Sequence, residues 1–158
     1  MEELNAYRAD LLAALEGAVH ELARIVAELP VRKWHQPINH SGHSPHYILF
    51  HLRALELHVF NPQLPCILLE DTPDLPAFED ESWMAKHYCQ DEPAAAILEE
   101  LRQLRMHELE WLRSLSPAGW SRLARHPWWG LHTLQWWVEL QADYSNAHLR
   151  ELSAIREV

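Results

Sequence analysis

Residues 136–152 have the sequence WWVELQADYSNAHLREL, which contains neither proline nor glycine and predicts one long helix. Steps of three and four residues place seven side chains on one face of it: Leu134, Trp137, Gln141, Tyr144, His148, Leu152 and Ile155. This face is apolar at both ends and polar in the middle. Because a buried polar group is costly unless it finds a partner, Gln141, Tyr144 and His148 indicate an internal site.

Length and composition predict one globular domain spanning residues 1–158. The chain is 48% hydrophobic and has only four glycines, so it can bury a substantial core. Its formal net charge of -10 argues against a nucleic-acid-binding surface, which needs clustered Lys and Arg. It contains no basic amphipathic segment for anionic membranes and no apolar run long enough to cross a bilayer.

The first residues of the chain and its two cysteines both predict a cytoplasmic protein. The first residues lack the basic region and apolar run of a signal peptide. Cys66 and Cys89 form neither a disulfide framework nor a zinc-ribbon pattern, and both are expected to be reduced thiols.

Three further helices are predicted from apolar periodicity and end signals. The first covers about 2–29 and is ended by Pro30. The second begins at Ser44-Pro45, a helix cap followed by proline at the first helical position. The third runs from about 91 to 115. Four long helices predict an all-α four-helix bundle.

A long Pro-rich crossover is expected between helices 2 and 3. Pro62, Pro65, Pro73 and Pro76 argue against a continuous helix through residues 61–80. The acidic residues there are expected to form a solvated surface. Residues 81–89 are predicted to form a short helix, and residues 116–133 a Trp-rich loop. Thr133 is the predicted N-cap of the last helix.

Two polar side chains on the other helices are predicted to face the interior. His51 falls among the apolar positions of helix 2 and should point inward. Glu108 is the one charged residue in the apolar seam assigned to helix 3, which consists of Ile97, Leu101, Leu104, Glu108, Trp111 and Leu115. It could serve a core site, but the favoured interpretation is that it reaches solvent or pairs with Arg102 or Arg105.

Three histidines in the first connection are interpreted as exposed. They are His35, His40 and His43, and their spacing matches no standard zinc pattern.

Four motifs together make the chain resemble the DinB/YfiT-like superfamily of four-helix-bundle proteins. They are SPHYILFHL at 44–52 with Glu56 following, LPAFEDESW at 75–83, HPWWGLHTL at 126–134, and His148-Leu149. Each is weak singly, but their order and spacing make the resemblance specific, and it covers nearly the whole chain.

The resemblance implies a metal held by three histidines. One is on helix 2 and is followed by Leu, as in His51-Leu52, and the last matches His148-Leu149. The middle position falls on Tyr144, and the next residue, often Asp in the family, is Ser145. With a full ligand set, a divalent metal such as Zn, Ni or Fe would lower the pKa of bound water or thiol.

The ligand set in this chain is incomplete, which leaves alternatives open. A Tyr hydroxyl is a poor ligand for zinc or nickel, so a carboxylate such as Glu108 or Glu56 would be needed as the third ligand. Alternatively, His51, His148, Tyr144 and Gln141 could satisfy one another without a metal. Tyr144, Gln141 and Glu108 are thus candidate cofactor-binding residues, and His51 and His148 candidate metal ligands.

Three functions compete on this basis. The first is a metal-dependent hydrolase or thiol-dependent transferase acting on a small molecule, with a low-molecular-weight thiol as co-substrate. The second is a metal-free member that binds a small molecule. The third is an interaction protein that forms a homodimer through exposed Trp128, Trp129 or Trp136.

Overall fold

The computed structural model describes residues 1–157, and the side chains of 1–155, so residue 158 of the predicted domain lies outside it. The helices are α1 (Glu2–Glu28), α2 (Pro45–Leu55), α3 (Asn61–Leu69), α4 (Asp80–His87), α5 (Ala94–Arg113), α6 (Pro117–Trp120) and α7 (Leu134–Ser153). Short 3₁₀ turns occupy Val31–Lys33 and Ala154–Glu157. The predicted all-α four-helix bundle is confirmed. Within residues 1–157, none of the helices combines the length and apolar character needed to span a membrane.

The long helices bury their apolar faces against one another. α1 packs along α5 and α7, and α2 packs along α5. One apolar cluster joins α1, α5 and α7 around Leu109 and Trp137. A second joins α1, α2 and α5 around Ile48 and Leu101. The same helices enclose two clusters of polar side chains, one around His51 and one around Arg105.

Side-chain caps fix where α2 and α7 begin. The Ser44 hydroxyl accepts a hydrogen bond from the Tyr47 backbone N–H at 3.1 Å. The Thr133 hydroxyl accepts one from the Trp136 N–H at 3.3 Å. Both hydroxyls satisfy backbone donors that have no partner within the helix, so both predicted starts are confirmed.

The crossover is more helical than predicted. α2 continues through a π-turn at Glu56–Phe60 into α3, although two prolines follow closely. Pro62 lies directly after the π-turn, whose backbone bond from the Asn61 N–H to Glu56 O interrupts the regular α-helical pattern just before this proline, which has no N–H to donate. Only residues 70–79 are irregular, and the Leu75 N–H there donates to Arg125 O at 2.7 Å. The predicted short helix after them is confirmed as α4.

The predicted loop before α7 instead contains α6 and a β-hairpin. Strand β1 (Leu123–His126) pairs antiparallel with β2 (Gly130–Thr133), and Leu123 lies opposite Thr133. Gly130 begins β2 with φ +79°, a backbone conformation in which glycine has no steric penalty. The strands have four residues each, too short for an alternating pattern to reveal them.

The buried face of α5 differs by one position from the predicted seam. Arg105 and Leu112 are buried, whereas Leu104 and Trp111 of the predicted seam are only half-buried. Glu108 is 2% exposed, so the expectation that it reaches solvent is wrong. The other part of the favoured interpretation, a pairing with Arg105, is what the structure contains: Arg105 is equally buried, and its Nε lies 3.9 Å from Glu108 Oε2.

Candidate functional site

Two imidazoles from distant parts of the chain lie together inside the bundle. His51 on α2 and His148 on α7 have ring centroids 5.4 Å apart, with the planes at 80°. Both side chains are mostly buried, at 17% and 16% exposure. Their helical spacing among apolar neighbours aims both inward, and packing of α2 against α7 brings the rings together.

His51 has a carboxylate partner at the start of α4. Its Nε2 lies 2.8 Å from Asp80 Oδ2, and a neutral ring donates the Nε2 proton to that oxygen. Nδ1 is then the basic nitrogen of the ring. Sequence reasoning placed Asp80 in a solvated acidic run. Its position directly before the helix predicted at residues 81–89, within the motif at residues 75–83, was the signal that could have identified it.

His148 is mostly buried and has an unpartnered ring nitrogen. Its Nδ1 is buried and makes no hydrogen bond, although Glu151 Oε1 lies 3.5 Å away. Burial lowers the pKa of His148, and neighbouring His51 lowers it further. The ring is therefore neutral at neutral pH, which keeps a lone pair available for a proton or a ligand.

Tyr144 lies beside the histidines but faces an apolar cluster. Its ring is half-buried against Leu55, Val59 and Phe60, with the Phe60 ring centroid 6.4 Å away. Burial raises the pKa of the phenol, and the charge of Asp80 raises it further. The neutral phenol is a poor metal ligand. Within the described part of the chain its hydroxyl makes no hydrogen bond to either histidine.

Gln141 and Glu108 belong to a separate buried network. Gln141 Nε2 donates to Glu56 Oε1 and to Glu108 Oε2, each at 2.8 Å. Arg105 Nε donates to Glu56 Oε1 at 2.8 Å, and its Nη2 donates to the same oxygen and, at 3.0 Å, to Ser145 Oγ. The prediction that Gln141 satisfies the histidines and Tyr144 is therefore wrong. Arg105, the centre of this network, was considered only as a partner for Glu108.

One carboxyl group of this network holds its proton more tightly than an ordinary glutamate. Burial raises the pKa of Glu108 well above its ordinary value, and nearby Glu56 raises it further, whereas Arg105 opposes both effects. The Arg105 guanidinium lies 3.9 Å from Glu108 but bonds directly to Glu56. One positive charge thus compensates Glu56 more directly than Glu108, which favours the protonated form of Glu108.

The donor set does not fit a metal centre of three imidazoles. In residues 1–157, no group of three or more His, Cys, Asp or Glu side chains is arranged to hold a metal ion. Tyr144 occupies the third position, and Glu56 and Glu108 are turned toward Arg105 and Gln141. Neither carboxylate suggested from the sequence replaces the missing ligand.

A cleft opens beside the His51–Asp80 pair. It has a volume of about 60 Å³ and is lined by Leu55, Val59, Phe60, Gln63, Pro76, Phe78, Asp80, His126, Trp128, Trp129 and Tyr144. Its walls come from the π-turn, the irregular crossover, the hairpin and α7. Of the three tryptophans expected to be exposed, only Trp128 is, at 54%.

His126 is a further polar residue of the cleft that sequence reasoning missed. It is 3% exposed and stacks on Trp129 with centroids 4.3 Å apart. Its Nδ1 accepts a hydrogen bond from the Trp128 N–H at 3.1 Å. Burial lowers the pKa of His126, so the ring is neutral at neutral pH.

Fold and site together define a four-helix-bundle protein with an internal histidine pair beside a cleft. Residues 2–152 match the model of the DinB superfamily, and the chain belongs to that superfamily. The solved structure of YfiT from Bacillus subtilis is similar, with TM-score 0.87 and 18% identity, covering 95% of this chain and 86% of that one. It is described as a probable metal-dependent hydrolase with an unusual four-helix bundle topology. No curated protein matches this chain significantly.

Proposed function

We propose that the chain binds a small molecule in the cleft and that His51 acts on it as a general base, without a three-imidazole metal centre. The observation on which this rests is the 2.8 Å hydrogen bond between His51 Nε2 and Asp80 Oδ2. Asp80 also lines the cleft, whereas His51 does not, so Asp80 is the residue that connects the imidazole to the space where a ligand would bind.

The chemistry follows from the two histidines. A carboxylate that accepts one ring proton orients the imidazole and stabilises the cation that forms when the other nitrogen takes up a proton. His148, neutral because it is buried, adds no charge that would oppose protonation of its neighbour. Removal of a proton from water or a thiol beside a susceptible ester or thioester would give hydrolysis or transfer.

The proposal is tested with p-nitrophenyl acetate and protein dialysed against EDTA. Wild-type protein should accelerate release of p-nitrophenol over buffer, and His51→Gln should abolish the acceleration. Asp80→Asn should reduce it by about tenfold or more, because general-base catalysis contributes about 10²–10⁴-fold. His35→Gln is the matched control, since His35 is exposed in the connection before α2. Equal rates for wild-type and His51→Gln protein would contradict the proposal.

A second candidate, a metal-dependent hydrolase or thiol transferase, is favoured by a specific observation. His148 Nδ1 is buried with no hydrogen-bond partner, as expected of a nitrogen waiting for a ligand. His51 and His148 would be the residues to hold a metal, and no third His, Cys, Asp or Glu of the described residues completes the set. A metal bound there would activate water or a thiol. The two candidates separate in the same assay: activity that appears only after Zn²⁺, Ni²⁺ or Fe²⁺ is added supports the second.

A low-molecular-weight thiol as co-substrate and a homodimeric state remain proposals. Thiol dependence would appear as faster turnover on adding the thiol to the assay above. Light scattering gives the oligomeric state, with Trp128→Ser as the variant expected to weaken a dimer, because Trp128 is the exposed tryptophan of the cleft rim.

A further inference from the structure

The walls of the cleft are aromatic to an unusual degree. Five of its eleven lining residues are Phe, Tyr or Trp: Phe60, Phe78, Tyr144, Trp128 and Trp129. They come from four separate segments of the chain and enclose one space. Aromatic faces carry partial negative charge, so a ring face turned to this space attracts a cation more strongly than a neutral group of equal size. One face of Phe78 and one of Trp129 are stacked on His58 and His126, which leaves the opposite face of each ring for a ligand.

The charges around the cleft also favour a cation. Asp80 is the one lining residue with a formal charge, and within the described residues no Lys or Arg lines the cleft. His126 is neutral because burial lowers its pKa, so it does not repel a cation. The charge of Asp80 also acts on Tyr144 in the cleft wall, where it adds to the effect of burial and raises the pKa of the phenol.

The volume limits the size of the bound group. A cavity needs roughly 10–15 Å³ to hold one water molecule. On that scale the 60 Å³ cleft holds about four to six water-sized groups. A trimethylammonium group, with one nitrogen and three carbons, is of this size, and it needs no hydrogen-bond acceptors from the aromatic walls.

We propose that the cleft binds a small organic cation through a methylated ammonium group, with aromatic rings around the head and Asp80 as its counter-ion. This inference rests on the proposed function, since it names the class of molecule that the small-molecule cleft takes. The remainder of the ligand extends toward the open side of the cleft, where Trp128 is 54% exposed.

The test compares choline with its neutral carbon isostere, 3,3-dimethyl-1-butanol, by titration calorimetry on the full chain. Choline should bind at least tenfold more tightly than the isostere. Asp80→Asn should remove most of that preference while keeping an oxygen that accepts from His51. Glu81→Gln is the matched control, because it removes the same charge from the next, exposed residue outside the cleft. Trp128→Leu should weaken choline several-fold, whereas Trp111→Leu on α5 should not.

Each other outcome has a definite meaning. Equal or tighter binding of the isostere overturns the cation inference and leaves the cleft as a site for neutral molecules, as the proposed function allows. Binding of neither compound at millimolar concentration also overturns it, and the p-nitrophenyl acetate assay then judges the proposed function independently. A choline preference equally reduced by Glu81→Gln would assign the effect to overall charge and contradict the role of Asp80.

Discussion

Replacement of Arg105 by Met should destabilise the protein more than any surface substitution on the same helix. The guanidinium is 3% exposed and donates hydrogen bonds to Glu56, to Ser145 Oγ and, at 2.9 Å, to Leu15 O. Without it, the Glu56 carboxylate, 2% exposed, keeps only the bond from Gln141 and lies beside Glu108. A buried charge left without its partner costs about 3–5 kcal/mol.

Thermal and urea unfolding measure this effect. For a chain of this size each kcal/mol changes Tm by about 2–4 °C, so Arg105→Met should lower Tm by about 6–20 °C. Tryptophan fluorescence and far-UV circular dichroism should report one coincident transition. Arg102→Met is the matched control, because Arg102 lies on the exposed side of α5 and pairs with Glu99. It should leave Tm within experimental error.

A double variant distinguishes loss of charge compensation from loss of packing. Glu56→Gln in the Arg105→Met background removes the uncompensated charge, so it should recover a large part of the lost stability. A loss below about 1 kcal/mol for Arg105→Met would refute the assignment of a buried ion pair. So would a double variant that is less stable than the single one.

Three further predictions concern the same protein. Glu108→Gln should stabilise the protein increasingly as pH rises from 5 to 8. The pKa of Glu108 is raised in the native state, so the unfolded chain releases this proton above the ordinary pKa of 4.5 while the native state still holds it, and wild-type stability falls with pH. Urea titrations at several pH values measure the free energies of unfolding of both proteins, and a difference between them that does not change with pH would contradict the prediction. Ser44→Ala should cost about 1 kcal/mol through loss of the cap on Tyr47 N–H, with exposed Ser121→Ala as control in the same urea assay. Added Zn²⁺ or Ni²⁺ should change Tm by less than about 1 °C in scanning fluorimetry, because the site lacks a third ligand. An ion that binds tightly to the native state would raise Tm, so a large rise would favour the metal-dependent candidate.

Helical periodicity was sufficient to predict the bundle because each long helix buries a continuous apolar face. Caps such as Ser44 and Thr133 act locally, so their residue types and spacing were also sufficient. The π-turn before α3 and the short hairpin were not predicted. The hairpin is supported by contacts across the fold, as in the bonds between residues 73–75 and Arg125, which local patterns do not contain.

The candidate site shows the same division between local and tertiary information. The inward direction of His51 and His148 follows from their positions on amphipathic helices. The partner of His51 comes from Asp80, 29 residues away, and the partners of Gln141 come from α5 and the π-turn. A periodicity argument can state that a side chain points inward, but not which of several inward groups it contacts.

The charge balance of the buried network explains why a neutral residue suits position 145. Ser145 accepts a hydrogen bond from Arg105, the same guanidinium that bonds to Glu56 and lies 3.9 Å from Glu108. An aspartate at position 145 would add a third carboxylate around one positive charge, in a region that is almost fully buried. At least one more proton would have to be retained there. In this chain the buried carboxyl groups near α7 therefore belong to the Arg105 network. The acidic partner of the histidine pair is Asp80 on α4.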